Sequence, residues 1–328
     1  MNTFKALLIE KSETGFTRSI VDRSLADLPD GDVLIDVRFS SLNYKDGLSA
    51  TGNPGVTRKF PHTPGIDAAG VVVESRSSDF SPGDEVIAIG FDLGMNTPGG
   101  FGQRIRVPAG WVAHKPDGLT LEQSMILGTA GFTAALCVHK LEMAGMSSAA
   151  GPVLVTGATG GVGSVAVMLL AKLGYEVTAV TGKSDQISFL NRIGARAVIS
   201  REDALEGASK PMLAEQWGGV VDTVGGDILV NGIKGLRYGC SLAACGLVAS
   251  PQIPTTVLPF ILRHVNLLGV DSVQLPLPQK IEIWNKLAGP WKLEELDTLK
   301  ATLTLEQVSN TLDRILAGKM VGRGLLVH

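Results

Sequence analysis

The run Val153-Leu154-Val155-Thr156-Gly157-Ala158-Thr159-Gly160-Gly161-Val162-Gly163-Ser164 constrains this chain more than any other segment. Closely spaced glycines stand between a short β-branched stretch and an apolar helical one, the context in which a glycine pattern acquires a mechanism. Gly157 is expected to make the tight turn, Gly160 and Gly161 to let backbone N–H groups approach a pyrophosphate, and Gly163 to let the helix lie close to the strand. The helix N-terminus then turns its positive dipole end towards phosphate. The alternation continues with helices at 162–173 and 184–193 and strands at 176–180, 197–200 and 220–224. Such a series predicts an α/β protein whose doubly wound parallel sheet binds a dinucleotide.

About 20 residues beyond the glycines, an NAD site usually carries an acidic residue for the ribose hydroxyls. Here the strand ends instead in Thr181-Gly182-Lys183, and Arg201 follows the next strand. A hydroxyl and two cations suit the additional 2′-phosphate of NADPH, which an aspartate there would repel. Asp185 is the opposing signal, unless it serves as the N-terminal charge of the following helix. NADPH is therefore the expected cofactor.

The first third of the chain has a different texture. Residues 4–9, 33–39, 69–75, 84–89 and 103–108 are short β-rich runs punctuated by Gly, Pro and Asp, as in a partly antiparallel barrel. Helix periodicity begins at about Leu121. A β segment at 266–273, helix candidates at 278–288 and 305–319, and a strand at 324–328 are expected to return and complete the first domain. The expected division is one domain of 1–124 with 266–328 and another of 125–265, two domains being what a length of 328 residues suggests.

A net charge of −3 leaves no broad basic field, which argues against a nucleic-acid or anionic-membrane surface. The start, MNTFKALLIEK, alternates like a strand, and VAVMLLA at 165–171 falls far short of the ~20 residues needed to span a bilayer. A soluble cytoplasmic protein is expected. Cys137, Cys240 and Cys245 sit among apolar residues and read as buried free thiols of a reducing compartment.

Four segments carry a family resemblance: Ser40-Ser41-Leu42-Asn43-Tyr44-Lys45-Asp46, Pro64-Gly65-Ile66-Asp67-Ala68-Ala69-Gly70, Gly128-Thr129-Ala130-Gly131-Phe132-Thr133-Ala134 and the Gly157–Gly163 loop. In that order they resemble the quinone oxidoreductase branch of the medium-chain dehydrogenases/reductases. Within it, Pro254–Arg263 and Gly269–Ser272 are most similar to the acrylyl-CoA reductase group. The resemblance implies a GroES-like, partly antiparallel β-barrel domain beside a Rossmann domain that holds NADPH, and a homodimer. It further implies cofactor contacts at Tyr44, Thr159 to Val162, Thr181 to Lys183, Arg201, Leu247, Ile261 and Ser272. From sequence alone Leu247, Ile261 and Ser272 read as core or strand-edge residues.

Zinc-dependent relatives hold their metal with a cysteine and a histidine, and a catalytic zinc needs about three protein ligands. This chain has Asn43-Tyr44-Lys45-Asp46 in the early loop and Gly65-Ile66-Asp67 where the family has Gly-His-Glu. His62 has no partner at ligand spacing and reads as a solvated or core histidine. Without a Lewis acid, the chemistry expected is hydride transfer aided by orientation and hydrogen bonding, as in reduction of an activated C=C bond or a quinone. Asn43 is expected to orient the nicotinamide or substrate, and Tyr44 to pack on the cofactor or offer a hydroxyl, the alternative being a structural aromatic. Asp67 reads as a cleft residue or a loop cap. Arg323 reads as a contact to a carbonyl or phosphate, or else as solvated. Arg58, Lys59 and Arg263 are candidates for the phosphates of a CoA ester. The expected partner is a small molecule, an enoyl-CoA or a quinone; the rival from another class is a non-catalytic NADPH-binding redox sensor.

Overall fold

In the computed structural model, which describes residues 3–328, the chain divides into two units. One runs to Thr129 and resumes over Ser272–His328; the other is Ala130–Asp271.

In the first unit, Thr3–Ser12 and Gly15–Ser24 form an antiparallel hairpin. The strand Val33–Leu42 is the hub of a larger sheet. It pairs antiparallel with Asp67–Ser75, with Arg104–Val107 and with the last strand, Arg323–Val327. Alternate residues of these strands and of Glu85–Ile89, which pairs with Asp67–Ser75, face one core, in which Val33, Ile35, Val37, Val72, Val86, Ile105 and Val107 are buried together. A second core packs Leu7, Ile9, Leu42 and Phe101 against Leu305, Val308 and Leu312 of the helix Leu305–Leu316, whose spacing puts those three on one face. The register Gly324↔Leu42 sets Arg323 beside the end of the hub strand, where the loop at Asn43 begins.

The second unit is a six-stranded parallel sheet in the order Ala197–Ile199, Val177–Val180, Val153–Val155, Gly219–Asp222, Ser241–Ala244, Asn266–Gly269. The chain winds outward from Val153–Val155 in one direction, then returns and winds outward in the other. The carboxyl ends of Val153–Val155 and Gly219–Asp222 therefore flank a topological switch point, where open α/β sheets receive ligands.

Three expectations need correction. Asn266–Gly269, placed by the sequence with the returning segment, is the edge strand of the parallel sheet, paired with Ser241–Ala244. The seam therefore lies at 271/272, and at 129/130 rather than 124/125. The helix expected at 184–193 is a 3-10 turn, Ser184–Gln186, followed by a short helix, Ile187–Arg192. The apolar run at 165–171 is also not the one of greatest reach. The helix Leu121–Met143 is long and apolar enough, by length and composition, to cross a membrane, but 83% of its most apolar window is buried within the protein. It is also interrupted at Gly128 (φ 51°, ψ −158°).

Candidate functional site

The glycine loop stands at the switch point. Gly157 has φ 59°, and a Cβ there would lie 2.3 Å from Thr223 Oγ1, so only glycine suits the turn. A Cβ at Gly163 would lie 2.3 Å from the Gly157 carbonyl, so the helix Gly161–Lys172 packs against the turn through bare backbone. Gly160 caps that helix; Gly160, Gly161 and Val162 are half-buried, while Thr159 is buried. The uncapped N–H groups of the first turn form a cradle for an anion.

One strand further out, Thr181 is buried and its hydroxyl accepts the Lys183 N–H at 3.0 Å. Arg201 lies over Gly182, where a Cβ would meet its Nε at 2.6 Å. Burial, and after it the neighbouring Arg201, lower the pKa of Lys183, with Asp185 opposing. Two cations and a hydroxyl thus converge on one spot, and a bound dianion would relieve their repulsion. Asp185 is exposed, in the 3-10 turn, and accepts from Gln186 Nε2.

In the first unit, three expected residues meet in a buried polar cluster. Asp67 is completely buried. It accepts hydrogen bonds from Ser41 Oγ, from Asn43 Nδ2 at 2.8 Å, and from the Thr129 N–H at 2.9 Å and hydroxyl. Arg323, 2% exposed, donates from Nε to the Ile126 carbonyl at 2.9 Å and more loosely to the Leu42 carbonyl and Asn43 Oδ1, both at 3.3 Å. Asn43 is therefore clamped between an anion and a cation. The break at Gly128 lets this happen, because it frees the Ile126 carbonyl and the Thr129 N–H from the helical ladder. Burial lowers the pKa of Arg323, while Asp67 and Asp46 oppose the shift.

Asp46 is the residue the sequence did not single out. It accepts the Asn43 N–H at 2.8 Å and the Ile66 N–H at 2.9 Å, tying the 43–46 loop to the 65–67 turn. Burial, with Asp67 beside it, pushes its carboxyl up to about 7. Its position in Asn43-Tyr44-Lys45-Asp46, three residues after the cap, was the available signal.

These contacts revise several roles. The Asn43 amide is 8% exposed and engaged at both ends, so it orders its own loop rather than a ligand. Arg323 is neither solvated nor open to a phosphate. Tyr44, next along, opens the helix Tyr44–Ala50 and is 36% exposed. His62 is a core histidine, with Nε2 on the Gly94 carbonyl at 2.9 Å. Arg263 binds the carbonyls of Lys234, Leu236 and Leu213 and pairs with Glu215, which leaves it a structural residue. Arg58 and Lys59 are exposed. Leu247 and Ile261 are neither core nor strand-edge but exposed, at 64% and 69%, and Ser272 is buried in the other unit. Of the three free thiols, Cys137 is buried and Cys240 and Cys245 are half-buried. Among the described residues no three His, Cys, Asp or Glu side chains converge as a metal-binding group.

Two family models match, an alcohol dehydrogenase GroES-like domain over residues 29–117 and a zinc-binding dehydrogenase over 161–286. The chain is 43% identical to the acrylyl-CoA reductase AcuI of Ruegeria pomeroyi, over 98% of both chains. It is equally 43% identical to the putative quinone oxidoreductase YhfP of Bacillus subtilis, over 98% of this chain and 97% of the other. Among solved structures, the yhdH oxidoreductase of Salmonella enterica in complex with NADP has 42% identity and a TM-score of 0.96, covering 99% of each chain.

Proposed function

Since the chain belongs to the quinone oxidoreductase branch of the medium-chain dehydrogenase/reductase superfamily, we propose that it is an NADPH-dependent reductase of short α,β-unsaturated acyl-CoA esters, converting acrylyl-CoA to propionyl-CoA. Near full-length identity of 43% to an acrylyl-CoA reductase carries the substrate class. Bound NADPH supplies the hydride, so that each turnover consumes one NADPH and one proton and yields NADP⁺.

The residues fit that cofactor. Backbone N–H groups of Thr159, Gly160, Gly161 and Val162, with Gly157 and Gly163 setting the turn, hold the pyrophosphate. Thr181, Gly182, Lys183 and Arg201 hold the 2′-phosphate, the feature that separates NADPH from NADH. Leu247, Ile261 and Ser272 are taken as further contacts on family resemblance. Tyr44 is proposed to offer its hydroxyl to the thioester oxygen, where negative charge develops as the β-carbon accepts hydride. Asn43, Asp67 and Arg323 support Tyr44 by fixing the loop it stands on.

The zinc in one family model's description does not suit this donor set. Asn43 and Ile66 stand where relatives have metal ligands, and the Asp67 carboxylate is already filled by four hydrogen bonds. The reading is thus of a zinc-independent enzyme. It is further of a cytoplasmic homodimer, joined along the half-exposed edge strand Asn266–Gly269, and acting on a small molecule rather than on nucleic acid or a membrane.

Quinone reduction is the second reading, favoured by the similarity to YhfP. The deciding assay follows NADPH oxidation at 340 nm by chelator-treated enzyme with acrylyl-CoA, crotonyl-CoA and a small quinone in parallel, repeated with NADH. Fast turnover of acrylyl-CoA with NADPH alone is expected. Turnover of the quinone only would overturn the CoA assignment, and loss of activity on chelation would overturn the metal-free one.

A further inference from the structure

A further buried carboxylate lies at the switch point, outside every residue assigned above. Asp222 ends the strand Gly219–Asp222 and is completely buried. Its Oδ1 accepts the Thr156 hydroxyl at 2.7 Å and its Oδ2 the Gly225 N–H at 2.8 Å. Its own carbonyl accepts the Cys245 N–H at 3.0 Å. Among the described residues no cation pairs with it. Thr156, also buried and immediately before Gly157, accepts the Thr223 N–H on the same hydroxyl at 3.0 Å, and its carbonyl takes the Thr223 hydroxyl at 2.9 Å. The Ala249 N–H to Val224 carbonyl bond, at 2.8 Å, extends the tie to the exposed loop that carries Leu247. The side chain thus joins the glycine loop to the 223–226 turn, and the backbone of the same residue adds the 245–250 loop, all three leaving adjacent strand ends.

All the groups that bond the carboxylate are donors, so the junction needs an acceptor at both oxygens, which an amide cannot provide. Burying a charge with no counter-charge is unfavourable, and the donors at both oxygens are what offset that cost here. We propose that Asp222 is a positioning residue for NADPH, its carboxylate holding through Thr156 the glycine turn, and through the Gly225 N–H the neighbouring turn, in the arrangement that receives the dinucleotide. This rests on the NADPH reading above.

The test compares the wild type with T156S, T156V and D222N, measuring NADPH Kd by nicotinamide fluorescence, KM and kcat for NADPH, and thermal midpoint. T156V and D222N are expected to raise Kd and KM by about tenfold with kcat held within about threefold, the signature of lost ground-state binding, and T156S to stay within about twofold. Kd within about twofold of wild type in both T156V and D222N overturns the proposal, as does T156S impaired as much as T156V. If T156V does not fold, T223A removes only the bond to the Thr156 carbonyl from a half-buried position, and a Kd raised by about threefold or more is expected; an unchanged Kd overturns the proposal. Wild type that fails to bind NADPH at all would instead sink the cofactor reading.

Discussion

Replacing Arg323 with Met tests whether the buried cluster in the first unit acts as one electrostatic unit. The substitution keeps most of the side-chain volume and removes three hydrogen bonds, one of 2.9 Å and two of 3.3 Å. Those bonds together contribute about 2 kcal/mol, the longer ones being weak. The larger cost is the charge left behind: Asp67 and Asp46 are both buried, and the cluster holds no other cation among the described residues. Leaving a buried charge without its counter-charge costs about 3–5 kcal/mol, so R323M should lose roughly 5–7 kcal/mol in all. D67N removes the anion and leaves Arg323 buried with less compensation, for a loss of about 3 kcal/mol. If the two act as a unit, the double variant loses about 1–3 kcal/mol less than the sum of the singles. Urea unfolding followed by tryptophan fluorescence is the assay, since Trp111, Trp284 and Trp291 lie in the same unit as the cluster and only Trp217 lies in the other. With a slope of about 2 kcal/mol per M urea, R323M should move that unit's midpoint down by roughly 2.5–3.5 M. Additivity of the two singles to within about 0.5 kcal/mol would refute the reasoning, because it would mean that Asn43 bridges them without coupling them.

Three further outcomes are expected. A Cβ at Gly128 would lie 2.1 Å from Ser41 Oγ and 2.5 Å from Asp67 Oδ2, at a φ only glycine favours, so G128A should cost about 3 kcal/mol or more in thermal unfolding; a loss under about 1 kcal/mol would show that the kink is not needed. The Asp46 pKa is raised from 3.8 to about 7, so its contribution to stability is complete below about pH 4, falls as pH rises towards 7 and is gone above it. The window corresponds to roughly 4 kcal/mol, and D46N should flatten the stability profile between about pH 5 and 7.5; an unchanged slope would place the titration elsewhere. Substituting Lys183 and Arg201 together with Met should raise KM for NADPH by about tenfold or more and leave KM for NADH within about twofold, whereas equal effects on both would remove them from the 2′-phosphate.

Much of the scaffold was legible because it depends on short-range pattern. The glycine spacing, the β-branched runs that became Val153–Val155, Val177–Val180 and Gly219–Asp222, and the 3.6-residue periodicity of Leu305–Leu316 each follow from local sterics and burial. The strand Asn266–Gly269 was assigned to the wrong unit for the complementary reason: a four-residue apolar run carries no mark of the strand it will pair with. Leu247 and Ile261 show the same limit, since apolarity suggested burial and the fold left them outside.

The sequence by itself determined the two kinds of domain, the glycine turn, and the loss of cysteine and histidine where relatives bind metal, because these are properties of residue type and near-neighbour spacing. Only the tertiary structure decided what Asp46, Asp67 and Arg323 do. Arg323 is 280 residues from Asn43 and 197 from Ile126, and it is brought to them by the pairing of the last strand with the hub strand and by a break in a helix at Gly128. In isolation each of these side chains is a hydrated charge. Taken out of water together, each becomes the partner that makes the others' burial tolerable, a dependence that no local pattern in the chain records.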